Sequence, residues 1–374
     1  MDRSAKVGTW IIATGVIIAL LYLGRDILAT FAMAVFLYLI IEGFATVIES
    51  AGRRANIRRL GMRAARLVAV LAVTAGFVAF IALMANGFAE FGRHSDEYEA
   101  KINTLIADAY RAVGLGNAPT LTQLLLNETG QQFFATLANA VSGLSGDLVL
   151  ILIYVAFLFA AQAGWSRKLD AMFPGAERRE QVRAIGEEAR LSIERYLWVQ
   201  TVISALITVL SYFSLLALGV QNALFLSALI FVLNYIPTVG SIVAALVPPL
   251  FALVQPAVPG WVPGIAPENS YIYAALVFVI VSFWQFSIGN FVQPRMMGDS
   301  LNLSALVVLL ALALWGLIWG IPGMFLSAPL TVLMMILLAQ SEQTRWLAVL
   351  LSADGNPRGK SVPLRSSPAD SGGR

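Results

Sequence analysis

The sequence contains no cysteine and a single histidine, His94. The first absence removes disulfides, thiol nucleophiles and cysteine-bound metals, and leaves the redox compartment unread. The second leaves one imidazole, in a polar stretch where it reads as surface. Charge is scarce as well. Charged residues make up 13% of the 374 positions, against about 25% in ordinary soluble domains. The apolar stretches of the C-terminal half hold no Asp or Glu, and Glu268 and Asp299 lie in the linkers between them. Glu42 is the carboxylate set well within an apolar stretch. Catalytic clusters, metal sites and phosphate-binding loops are therefore not expected. Gly355–Ser361 looks like a phosphate loop but is one residue short and sits in a Ser-, Pro- and Gly-rich tail. No enzyme activity, cofactor, metal or nucleic-acid partner is expected.

What is present is apolar length. Hydrophobic residues make up 58% of the chain and the mean hydropathy is +0.77. Apolar stretches cover 8–24, 27–48, 66–88, 146–163, 197–218, 222–254, 270–291 and 303–339, and a bilayer core takes about 20 apolar residues per helix. The expectation is an all-α polytopic membrane protein with six to eight transmembrane helices, whose main partner is the lipid bilayer. Arg3, Lys6 and the first apolar run resemble a signal peptide, but no A-x-A-like site follows and a second run begins at Ile27.

Basic residues set the expected orientation, because short Lys/Arg-rich loops stay cytoplasmic. Arg53, Arg54, Arg58, Arg59, Arg63 and Arg66 mark one such loop, and region 164–196 holds seven basic residues. Region 89–145 has three basic and six acidic residues and is placed outside. Both termini are then cytoplasmic. The chain divides into 1–88, helices with the Arg-rich loop; 89–145, an extracytoplasmic helical insert; 146–196, a spanning helix plus a cytoplasmic amphipathic helix; 197–345, a transport core; and 346–374, a mostly disordered tail. Tyr98, Ile102, Leu105, Ile106 and Val113 recur at helical spacing, as do Val182, Ile185, Ala189, Ile193 and Tyr196. Both stripes are read as lying on the membrane surface or against another subunit, or else as plain connecting helices.

Two apolar stretches are too long for one simple span and are broken inside, at 236–240 and 320–323. Pro237, Gly240, Gly320, Pro322 and Gly323 carry the breaks, since proline removes a helical hydrogen bond and glycine loosens the backbone. If both are re-entrant hairpins, the core is a pair of inverted repeats, a design that builds sites from broken helices. If both cross fully, the chain has eight spans. Polar residues gather at the first break, Asn234, Thr238 and Ser241, and at the end of 270–291, Gln285, Asn290 and Gln293. These eight positions, Pro237 and Gly240 included, form the expected substrate pathway; the alternative is that the amides stitch helices together. Gly316 and Gly320 form a GxxxG pair suited to close helix packing. Glu42 and Asp299 are the candidates for ion coupling.

Several motifs resemble the AI-2E (autoinducer-2 exporter) family of bacterial membrane proteins. They are Phe231-Val-Leu-Asn-Tyr-Ile-Pro-Thr-Val-Gly240-Ser241, Trp284-Gln-Phe-Ser-Ile-Gly-Asn290-Phe-Val-Gln-Pro294, Gly298–Ser304 and Trp315–Leu330. The specific part covers 195–335. The resemblance implies an inner-membrane transporter, a homo-oligomer that is a pentamer, and export of a small polar solute such as the quorum-sensing signal autoinducer-2, or sodium or lithium/proton antiport. A reading of another class is a non-transporting scaffold or partner subunit. The chain departs from the family pattern at Ala305, where proline often stands, and at Gln200, where lysine is frequent; the latter removes a cation expected near the membrane interface.

Overall fold

A computed structural model describes residues 3–357 apart from 55–60, 94, 115, 127, 174, 263–264, 267–268 and 298–301. Asp299 and the tail beyond 357 thus lie outside the described residues. Every regular element among the described residues is helical. The N-terminal part has α1 (Arg3–Leu23), α2 (Arg25–Arg54) and α3 (Met62–Arg93), then α4 (Ser95–Ala112), α5 (Leu121–Leu126) and α6 (Glu128–Met172). The core follows with α7 (Ala176–Leu218), α8 (Ala223–Leu233), α9 (Val239–Val254) and α10 (Ser270–Ser287). A π turn (Ile288–Val292) leads from α10 into α11 (Gln293–Met297), and α12 (Ala305–Trp319), α13 (Ile321–Leu338) and α14 (Arg345–Leu351) complete the chain. Five helices among the described residues are long and apolar enough to cross a membrane, or six with the bent α6. The chain is an all-α polytopic membrane protein.

Two expected boundaries are absent. The amphipathic segment 177–196 and the span 197–218 form one 43-residue helix, α7. Nothing between them ends a helix: the stretch holds no proline and one glycine, Gly186. Part of its apolar stripe packs within the chain. Ile185 and Ala189 pack on Val332 and Ile336 of α13, and Tyr196 is buried. Helix α6 likewise runs through the expected boundary at 145/146 and bends by 66° between Gln162 and Gly164. The α4 stripe is anchored within the chain too, because Tyr98 is buried and donates to Gln221 Oε1 at 2.9 Å.

Both broken stretches are hairpins that return to the end from which they start. Phe225 on α8 and Phe251 on α9 pack at 6.2 Å between ring centroids, so the two helices lie side by side. Gln221 N donates to Gln255 Oε1 at 3.2 Å, Tyr273 Oη to the Leu218 carbonyl at 2.9 Å and Trp261 Nε1 to the Ala217 carbonyl at 3.2 Å. The end of α7, both ends of the first hairpin and the start of α10 therefore meet at one end, the head end. Gly219, at φ 71°, turns the chain there in the left-handed region that glycine tolerates. The second hairpin closes at the opposite, foot end. Leu303, just before α12, packs against Val332, Ile336 and Met335 of α13, and Ser304 N donates to the Leu351 carbonyl at 3.1 Å.

The same contact closes each hairpin. A Cβ on Gly240 would lie 1.8 Å from the Leu233 carbonyl oxygen, and one on Gly323 would lie 1.9 Å from that of Trp315. Only glycine allows either approach. Gly320, at φ 67° and ψ −141°, takes a backbone conformation closed to other residues, and Pro322 enters the first turn of α13, where its missing N–H costs nothing. Gly316 packs on Met324 of the facing helix, so it serves close packing within this hairpin. With α7 running foot to head and α10 head to foot, the two units are inverted copies, and each hairpin keeps both its ends on one side of the core.

Candidate functional site

The inner end of the first hairpin is the most constrained turn in the core. Thr238 has φ 61° and ψ −60°, and Val239 N donates to the Pro237 carbonyl at 2.6 Å. This is a γ-turn of the rare, strained hand, which costs about 1–3 kcal/mol. Ser241 Oγ caps the turn by donating to the Thr238 carbonyl at 2.8 Å. The turn faces α10 where its winding loosens into the π turn, with Gln293 N donating to the Ile288 carbonyl. Such wide turns inside helices recur at functional sites.

Between these two irregularities lies a cavity of about 560 Å³. The structure brings seven of the eight expected pathway residues to its wall, Asn234, Pro237, Thr238, Ser241, Gln285, Asn290 and Gln293, while Gly240 sits behind them as the closing contact of the turn. Four amides, on α7, α10 and α11 and at the end of α8, form a chain. Gln293 Nε2 donates to Gln200 Oε1 at 3.4 Å, Gln200 Nε2 to the Asn234 carbonyl at 2.6 Å, and Gln285 Nε2 to Asn234 Oδ1 at 3.1 Å. Asn234 is 8% exposed, and its Nδ2 has no partner. Ser282 Oγ, also on the wall, is buried and unpartnered. Asn290 differs from the other amides, because its Nδ2 donates within its own helix, to the Phe286 carbonyl at 2.9 Å. It ties no two helices together. Among the described lining residues none is Asp, Glu, Lys, Arg or His.

Chains that match this one place it among known proteins. The family model described as AI-2E family transporter matches residues 11–343. The chain belongs to the AI-2E transporter family. The AI-2 transport protein TqsA of Escherichia coli is 28% identical over 331 residues, covering 87% of this chain and 90% of its own. The putative transport protein YhhT of Escherichia coli is 26% identical over 351 residues, covering 92% and 93%. A putative transport protein of Haemophilus influenzae is 28% identical over 351 residues, covering 91% and 94%. The chain is a membrane transporter.

The ion-coupling candidate Glu42 does not reach the cavity of this AI-2E transporter. It is 7% exposed and pairs with Arg66, which donates from Nε at 2.9 Å and Nη2 at 2.5 Å. The carboxylate does not extend toward solvent; it ties α2 to α3. Gln200, noted in the sequence as a lost cation near the interface, stands instead at the centre of the amide chain, 5% exposed. Sequence reasoning also missed Ser282 and Tyr196 on the wall. Helical spacing offered a signal: Gln200 lies four residues beyond Tyr196, and Ser282 three before Gln285, on the faces that the known amides share.

Proposed function

We propose that this AI-2E transporter is a secondary exporter of a small, uncharged polar solute across the bacterial inner membrane, with the amide-lined cavity as its binding site and autoinducer-2 as one solute of the right chemistry. The observation that carries this reading is the unpartnered, buried Asn234 Nδ2 on a wall whose described residues carry no charge. Amides offer donors and acceptors together and suit hydroxyl-rich neutral ligands. A carboxylate relay for protons has no members among the described lining residues, which disfavours cation/proton antiport. The Arg-rich loop and Arg295 support a cytoplasmic foot end by the positive-inside rule. TqsA, by its name, transports AI-2; its likeness supports the solute class here.

Asn290→Leu tests the reading, because this amide stitches no helices. Flux of candidate solutes into inverted vesicles, with and without a proton gradient, is expected to fall by about tenfold or more, the ratio one good hydrogen bond supplies, with an unchanged thermal midpoint. Retained flux per folded molecule removes Asn290 from the pathway, and a lowered midpoint assigns it to packing.

A further inference from the structure

The cavity has a second chemical side that a purely polar solute leaves unused. Its rim is apolar and opens on the outside of the helix bundle: Ile242 on α9 is 55% exposed and Phe286 on α10 is 61% exposed. Phe286 lies inside the span-length stretch Ser270–Met297, so this mouth falls at membrane depth. The floor beneath holds the amides and the two unpartnered buried groups, Asn234 Nδ2 and Ser282 Oγ. The wall on α7 extends from Tyr196 to Ile207, about three turns or roughly 16 Å. A long trough with a hydrogen-bonding floor and an apolar edge is built for a ligand of matching polarity.

We infer that the cavity takes a neutral amphiphile laterally from the bilayer, its uncharged hydroxyl or amide head on Asn234 and Ser282 and its apolar chain passing out between Ile242 and Phe286. This rests on the transport reading and names the solute class of the same site. Unpartnered donors at membrane depth are costly, and a lipid-derived hydroxyl head satisfies them. The missing charge on the wall selects against phospholipid head groups, whose phosphates would be desolvated with no cation to meet them. Open apolar edges at Ile242 and Phe286 let the chain of the ligand stay in hydrocarbon during entry, so that only the head is transferred.

The test uses the full chain in phosphatidylcholine nanodiscs and a monoacylglycerol carrying a diazirine in its acyl chain. Photolabelling is expected to concentrate on the peptides holding Ile242 and Phe286. Excess unlabelled monoacylglycerol should compete it away, and glycerol, the same head without a chain, should not. Ser282→Ala paired with Asn234→Leu is expected to reduce the competed label by about tenfold. Labelling spread evenly over other lipid-exposed sites such as Phe213 and Leu314, or competed equally by glycerol, overturns the inference. Flux of a small polar solute without competed labelling also overturns it while leaving the transport reading in place. Competed labelling without flux of any solute supports it and removes the transport reading.

Discussion

The ring of Tyr235 stacks on that of Phe325 with centroids 4.8 Å apart and planes 15° from parallel. Tyr235 belongs to the inner turn of the first hairpin and Phe325 to the first turns of α13 in the second. The stack joins the two hairpins directly. Phe36 of α2 packs edge-on against both rings, at 6.5 and 5.2 Å, and Thr201 Oγ1 lies 2.7 Å from the Tyr235 hydroxyl. A double-mutant cycle of Tyr235→Leu and Phe325→Leu should therefore show a coupling of about 0.5–1.5 kcal/mol in detergent unfolding. Additive effects would mean that the hairpins are held independently.

Thr238 carries the strained γ-turn at the cavity edge. Thr238→Gly relieves about 1–3 kcal/mol of strain and gives back about 0.5–1 kcal/mol in chain entropy. The expected outcome is a higher thermal midpoint. A lower one would show that the threonine side chain stabilises the turn by more than its backbone costs.

Glu42 holds Arg66 in a buried pair away from the cavity. Glu42→Gln leaves the guanidinium uncompensated, at a cost of about 2–3 kcal/mol, below the ~3–5 kcal/mol of a fully buried pair because the Arg66 side chain is 30% exposed. Stability should fall while flux per folded molecule persists. Complete loss of flux in a stable, correctly assembled variant would restore Glu42 as a coupling residue.

Gln200→Lys places an ammonium in the amide chain. Burying a cation there with no carboxylate among the described lining residues to meet it costs stability. The thermal midpoint of the variant should fall below that of the parent. An unchanged midpoint would place position 200 in water and not in a closed wall.

Much of this architecture was legible in the sequence because membrane helices must satisfy their backbone internally, which makes breaks conspicuous. Pro237, Gly240, Gly320 and Gly323 announced two breaks, and the polar residues beside the first break marked a candidate wall. The length of α7 was not legible from polarity, since the shift at 196/197 marks a change of surroundings and not an end of helix. The packing of Tyr196 and Ile185 against α13 depends on contacts across more than a hundred residues. Gln200 was seen only as a missing charge; its place in the cavity follows from α7 passing behind the first hairpin, which no local pattern encodes. The π turn at Ile288–Val292 likewise has no composition of its own.

The inverted hairpins are tested most directly by single cysteines in a chain that has none. Ala257 is exposed in the connection after the first hairpin and Arg295 is exposed in α11, toward the opposite end of the core, and Ser341, exposed beyond α13, is the expected cytoplasmic reference in either topology. In intact cells an impermeant maleimide should label Ala257→Cys, whereas Arg295→Cys and Ser341→Cys should react only after permeabilisation. Labelling of Arg295→Cys in intact cells, with Ala257→Cys protected, would mean that both broken stretches cross the membrane and would contradict the account.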